Sequence, residues 1–457
     1  MARNRRVYVD YGRRGGRRRR RRPGLGIVCG ILIVVILAVV FGVFAYKLSR
    51  KDVHDLPGAP TATPVPGTPT PVPSPTQTPT PTVTPTPAPT NTPTPVPTSP
   101  ETGLPCTPTP TPTPAWDENY LVGWTDTREK VNVKGAYVGL SLNNKDNLAK
   151  WLEMAKKTEL NAVVIDVKHD SGNITYQMGD QYLCTNSYTD MKGLLKTLKE
   201  NGIYTIARVV CFKDQAVGEI HPEYLLYNKD GSVYVSKKNE TWMNPYNEDT
   251  WKYIIDISEQ AALDGFDEIC FDYIRVETNR IISKTLEDGS FEYLVDFGEK
   301  AEEMTLQDVI TAFTKYACDR LKPLGVYVSA SVYGGIIFSR VDAERIGQDY
   351  IEMSRYLDYI CPMVYPDHYA NGWNGIKNPK SQPYDLVYGE MKKSVERLSV
   401  LPEQQDTYAE CRPWLAAFGY NASQIREEIK ATYDNGYTSW FLWNAGVNYP
   451  EGSFVKK

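Results

Sequence analysis

The sequence predicts an α/β protein of the (β/α)8, or TIM-barrel, class, preceded by a membrane helix and a proline-rich spacer. Three observations lead there. From about residue 115 onward, strand-type and helix-type segments alternate through eight rounds. Several helix-type segments end at glycine just before the next strand, where helix C-termini commonly place one. No GxGxxG follows the first strand, which counts against an open doubly wound sheet, the alternative arrangement of the same elements.

The 457 residues and the net charge of −4 average over unlike segments. Residues 1–23 form an arginine-rich tail. Residues 24–48, "GLGIVCGILIVVILAVVFGVFAYKL", hold no charge before Lys47 and are long enough to span a bilayer core as one helix. A cleaved signal peptide would have a shorter apolar region and a small-residue cleavage site, so an uncleaved anchor is expected. The arginines before it should stay in the cytoplasm, with the C-terminal bulk outside. An arginine run can also signal nucleic-acid binding. The adjacent apolar run accounts for the charge, and no nucleic-acid partner is expected. Residues 49–115 are a Pro/Thr-rich linker that cannot build a packed core. At ~3.1 Å per residue, its ~60 residues reach at most ~180 Å, a plausible span through a thick cell wall.

Residues 116–457 are the expected barrel. The strands are "KGAYVGL", "NAVVIDVKHD", "IYTIARVVCF", "FDEICFDYIRV", "VYVSASVYGG", "DYICPMVYP", "CRPWLAAFG" and "TSWFLWNAG", with an insertion after the fourth. The chain ends soon after the eighth strand, so the last helix is short or missing, and residues Trp116–Glu129 are expected to cover the gap. Cys211, Cys270 and Cys361 sit in apolar strands and read as buried thiols. Cys106 and Cys184 read as exposed and able to pair in an oxidising exterior. No cysteine or histidine cluster has metal-site spacing, and no cofactor is expected.

Barrel active sites lie at the C-terminal strand ends, and strand residues alternate between interior and helix layer. Val163, Ile165 and Val167 should therefore face helices, and Asp166, Lys168 and Asp170 the interior. Arg208 should point inward and pair with Asp166, as a structural ion pair or a substrate-facing cation. Lys168 and Asp170 lie nearer the mouth and are candidates for substrate contact. In "GFDEICFDYIRVE", Glu268, Cys270 and Asp272 share the inward parity. Glu268 and Asp272 are ~13 Å apart at ~3.3 Å per residue. That exceeds the ~5–9.5 Å between glycosidase carboxylates, so the two are not a catalytic pair. Glu268 reads as deep and structural, Asp267 as structural, and Asp272 as the active-site candidate beside Arg275.

The motifs "NAVVIDVKHDSGNITY", "ARVVCFKD", "NPYNEDTWKYIIDIS", "GFDEICFDYIRVE", "DYICPMVYPDHY", "RPWLAAF" and "WFLWNAGVNY" resemble the DUF4015 family, which is assigned as glycoside hydrolases of TIM-barrel fold. The resemblance covers most of residues 134–449. It implies a carbohydrate substrate and hydrolysis of O-glycosyl bonds. The chain departs from the family pattern at five places. Val276-Glu277 stands where Phe-Pro is usual, His169 and Ser331 stand where aspartate is usual, Ala416 replaces glutamine, and Asp367 replaces serine. Ser331 adjoins Asp272, where a second carboxylate would be expected, and serine cannot replace an acid near neutral pH without help.

Aromatic faces stack on sugar rings, and most of the 31 tyrosines and 9 tryptophans fall in the globular part. Tyr333, Tyr365, His368, Trp414, Trp443 and Asn444 lie toward strand ends and are candidate substrate contacts. Two functions compete. In one, a wall-facing glycoside hydrolase uses Asp272 as nucleophile or base, with Asp170, Asp367 or Glu277 as proton donor. Lys168, Arg208, Arg275 and His368 then orient hydroxyls or a charged substituent. In the other, a lectin-like barrel binds wall glycan without cleaving it, as the substitutions at Ser331 and Ala416 would favour.

Overall fold

The computed structural model describes residues 124–277, 281–287, 289–399 and 408–457. The expected arginine-rich tail, membrane helix and Pro/Thr linker lie outside the described residues, as does Cys106. Among the described residues, eight parallel strands close into a barrel. They are β1 (Lys134–Gly139), β2 (Ala162–Lys168), β3 (Tyr204–Val210), β4 (Glu268–Asp272), β5 (Tyr327–Tyr333), β6 (Tyr359–Val364), β7 (Trp414–Ala416) and β8 (Trp440–Trp443). Each pairs with its sequence neighbours, and β1 closes the ring by pairing with both β2 and β8.

Helices alternate with the strands. They are α1 (Lys145–Lys157), α2 (Met191–Glu200), α3 (Glu248–Asp264), α4 (Leu306–Leu321), α5 (Arg340–Ile346), α6 (Tyr350–Ser354), α7 (Pro383–Leu398) and α8 (Ala422–Tyr433). Local chemistry sets their limits. Asn144, Asp190, Asn247 and Thr305 accept first-turn backbone N–H bonds and start α1 to α4. Gly265 ends α3 in a left-handed conformation that a side chain would strain. After β5 two short helices, α5 and α6, are separated at Gly347, which also adopts positive φ.

Of residues 116–129, expected to cover the gap after β8, residues 116–123 lie outside the described residues. The C-terminal segment takes the place of the missing helix: Phe454 stacks on Trp440, and the backbones of Val455 and Lys457 bond to Glu159 and Lys157 at the end of α1. Arg128 instead docks under the barrel floor, donating to the Val326 carbonyl and to both oxygens of Asp358, just before β5 and β6. The insertion after β4 contains two strands, Ile282–Thr285 and Phe291–Tyr293, and a short third that pairs with Tyr227–Asn228. The six described cysteines are free thiols; Cys184 is half-buried and the others are buried.

Register fixes the interior. Asp166 on β2 aligns with Arg208 on β3, which aligns with Cys270 on β4. Cys270 aligns with Ser329 on β5. The inward side chains therefore stack in layers, with Glu268 in a lower one and Asp272 at the top.

Candidate active site

Asp272 is the last residue of β4. Its Oδ2 accepts from Arg208 Nε at 2.8 Å and lies 2.7 Å from Nη2, and its Oδ1 accepts the Tyr273 backbone N–H at 2.7 Å. The residue after Asp272 has an unusual backbone. Tyr273 has φ +49°, a left-handed conformation costly for an aromatic residue and one that clusters at functional sites. Asp272 itself, at the C-terminal end of its strand, reaches the barrel mouth. Arg208 Nη1 bonds Asp166 Oδ1 at 2.8 Å, and Tyr137 donates to Asp166 Oδ2 at 2.6 Å. Burial alone would lower the pKa of Arg208, but the two carboxylates outweigh it and hold the cation firmly charged.

Above this pair lies a cavity of about 530 Å³. Sequence-expected residues Asp272, Arg208, Arg275, Tyr333, Tyr365, His368, Trp414 and Trp443 line it. The structure adds Tyr273, Asp342, Arg345 and Met363. Its floor and far wall are aromatic: Trp443 lies 4.2 Å from Tyr137 and 5.7 Å edge-on to Trp414, with the Arg208 guanidinium 5.6 Å from the Trp443 ring. Tyr365 meets His368 and Phe418 edge-on.

Several expected residues are placed elsewhere. Lys168 is wholly buried, 2.7 Å from Asp214 Oδ2 and donating to the Val210 carbonyl. It is a structural cation rather than a substrate contact. Gly172 makes room for this: a Cβ there would stand 1.9 Å from Asp214 Oδ1. Asp170 pairs with His169 at 2.9 Å and Lys213 at 3.1 Å. The His169 hydrogen bond and the Lys213 charge hold its carboxyl far below the usual range, which does not suit a proton donor at neutral pH. Glu277 accepts from Tyr234 at 2.8 Å, and Asp367 lies 3.8 Å from His368 Nε2; neither lines the cavity. Asn444 spends its amide on the Ala417 and Asn448 carbonyls and the Gly446 N–H, bracing the loop after β8.

The carboxylate that sequence reasoning missed is Asp342. It sits in the first turn of α5, where Ser339 caps the helix by accepting its N–H. An acid there reads as a helix-terminus charge, and only the turn through Gly334–Ile337 brings it to the cavity wall. Its charge helps raise the Tyr333 phenol, after burial, while Arg275 acts the other way. Ser331 accepts the Trp414 indole N–H at 2.9 Å and sits 3.5 Å from Cys270 Sγ. The site expected to hold a second acid thus orients a tryptophan instead.

A family profile described as "Putative glycosyl hydrolase domain" (DUF4015) matches residues 135–449. Among solved structures, the glycoside hydrolase domain of PgaB (BpsB) from Bordetella bronchiseptica matches with a TM-score of 0.51 at 13% identity, over 68% of this chain and 94% of that one. At that identity the likeness shows the shared fold. A hypothetical protein from Ruminiclostridium thermocellum is 32% identical over 43% of this chain and 96% of its own, with a TM-score of 0.36. The catalytic domain of a β-amylase from Paenibacillus polymyxa matches at 11% identity and a TM-score of 0.45, over 68% of this chain and 92% of that one. No curated protein matches.

Proposed function

The chain belongs to the DUF4015 family of glycosyl hydrolase domains, and from that premise we propose that its barrel hydrolyses O-glycosidic bonds of a cell-wall or other extracellular polysaccharide by a two-carboxylate mechanism. The observation that carries this is Asp272 at the end of β4, held by Arg208 at the edge of an aromatic-lined cavity. Every hydrogen bond the carboxylate makes in the structure is one it accepts. That suits a nucleophile or a base for water better than a proton donor. Asp342, which lines the same cavity, protonates the leaving glycosidic oxygen as the C–O bond breaks. Arg208 holds Asp272 in place, and the Trp443 and Tyr333 rings, the more exposed aromatics of the lining, pack on sugar faces. The proposal extends to location: residues 24–48 anchor the chain in the cell membrane, and the Pro/Thr linker carries the barrel outward from it.

The test is a glycan-hydrolysis screen with the full-length chain in detergent, comparing wild type with Asp272→Asn and Asp342→Asn. Each substitution should lower turnover by ~10²–10⁴-fold while leaving the fold intact by circular dichroism. Turnover unaffected by Asp272→Asn would sink the assignment. One observation favours a second reading, a carbohydrate-binding barrel without turnover: the Ser331 hydroxyl, where an acid would be expected, is committed to Trp414. Glycan binding with no product in wild type would decide for that reading.

A further inference from the structure

The cavity has a charged side that the two-carboxylate chemistry does not use. Arg275 follows β4, and Arg345 lies near the end of α5. Two hydrogen bonds strap these segments together: the Val276 N–H donates to the Ile346 carbonyl at 3.1 Å, and Gln348 Nε2 donates to the Ile274 carbonyl at 3.1 Å. Arg275 and Arg345 both line the cavity. Among the described residues neither has a carboxylate within 4.0 Å, Asp342 included. Arg275 donates to its neighbour's carbonyl, Val276 O, at 2.9 Å. Its guanidinium lies 5.0 Å from the Tyr273 ring centroid and 5.4 Å from that of Trp242, so aromatic faces hold it in position. Burial presses its pKa below the ordinary arginine value. Arg345 lies 5.9 Å from the Phe291 ring and is exposed.

Two cations belong to one cavity lining, and burial adds a desolvation cost at Arg275. Arg208 shows the contrast: the same cavity holds it with two carboxylates. A guanidinium fork with no carboxylate at ion-pair distance is matched in shape and charge to a ligand carboxylate, which it binds through two parallel N–H bonds. We propose that Arg275 and Arg345 select a glycan whose sugars carry a carboxylate, seated beside the ring that Asp272 attacks. This rests on the cavity being the glycan site and names the substrate class it takes. A uronic acid and an N-acetylmuramic acid both present that group.

The test measures binding rather than turnover. The full-length chain, as wild type, as Asp272→Asn and as Arg275→Gln/Arg345→Gln, is titrated by calorimetry with two probes. These are oligogalacturonates and N-acetylmuramic-acid-containing glycan strands, each also as its carboxyl methyl ester. At least one free acid should bind tenfold or more tighter than its ester. That preference should weaken as salt is raised, persist in Asp272→Asn and vanish in the double arginine variant. Which acid is preferred identifies the sugar. Equal affinity for acid and ester, a preference that survives loss of both arginines, or no binding of either acid would overturn the proposal. The hydrolase reading fails separately: an acid bound through the arginines but not cleaved leaves the specificity standing, and a neutral glycan cleaved independently of them does the reverse.

Discussion

Glu268 and Asp272 stand at the two ends of one five-residue strand, both facing the barrel interior and both held by an arginine. At the lower end, Arg412 Nη1 meets both Glu268 oxygens at 2.9 Å, Ser329 donates to Oε1 at 2.5 Å, and Tyr204 donates to Oε2 at 3.2 Å. The Arg412 guanidinium lies 3.5 Å from the Tyr359 ring, and both charged residues are wholly buried. At the upper end, Arg208 is shared between two carboxylates, and Asp272 borders open space. The chemistry of the two pairs is alike. What separates them is whether anything but protein can reach them. Four residues of strand rise turn an ion pair that fixes the fold into one that can meet a substrate.

The largest expected effect tests the lower end. Glu268→Gln leaves the buried Arg412 charge uncompensated and should cost ~3–5 kcal/mol of stability. Chemical denaturation of the full chain measures it. Activity per folded molecule should stay near wild type, because nothing in this layer reaches the cavity. A stable Glu268→Gln protein that had lost activity would erase the distinction between the two ends.

That distinction was largely legible beforehand, and the reasons are physical. Strand alternation has a period of two, so the facing of Asp166, Arg208, Glu268 and Asp272 follows from the sequence once the strands are assigned. Alternation gives direction but not cover. Lys168 has the right parity, yet the chain after β2 folds back at Ile174, which pairs with Lys168, and Asp214 comes in from the loop after β3. Asp342 was hidden for a related reason. It belongs to a helix, where no strand rule applies, and the 3-10 turn before α5 that brings it to the cavity has no strong sequence signal. Strand-borne parts of the site were readable; parts supplied by loop paths were not.

A third carboxyl sharpens the comparison by lacking an arginine. Glu390 on α7 is buried, accepts the Trp373 indole N–H at 2.8 Å, and has its second oxygen unpaired. Burial pushes its pKa up to about 8. Its folded pKa lies above the unfolded one, so the native state binds the proton more tightly. The stability this contributes is fully present below about pH 4.5, declines as pH rises toward about 8, and is then gone. Glu390→Gln keeps an acceptor for Trp373 and has no charge to bury. It should flatten that decline and be more stable than wild type near pH 8, by on the order of a few kcal/mol. Denaturation midpoints at pH 5 and pH 8 for both proteins check this. An unchanged slope in the variant would mean that Glu390 is ionised in the fold, so that a buried carboxyl here needs no arginine.

The smallest expected effect lies at the border between the two ends. Ser331 is nearly covered, yet it touches the cavity. Its hydroxyl accepts from Trp414, a ring that forms part of the aromatic wall. Ser331→Ala removes that acceptor and leaves the indole N–H unpaired, a loss of ~1–3 kcal/mol at most in stability. If the hydroxyl only orients the ring, the variant should show a modestly raised KM, because the buried Trp414 braces the more exposed Trp443 less well. Its kcat should change by less than a few-fold, because no proton passes through the serine. A fall in kcat of a hundredfold with KM unchanged would place Ser331 among the groups that act in the transition state. The upper layer would then do chemistry through β5 as well as β4, and the absence of an acid at this position would no longer argue for binding without turnover.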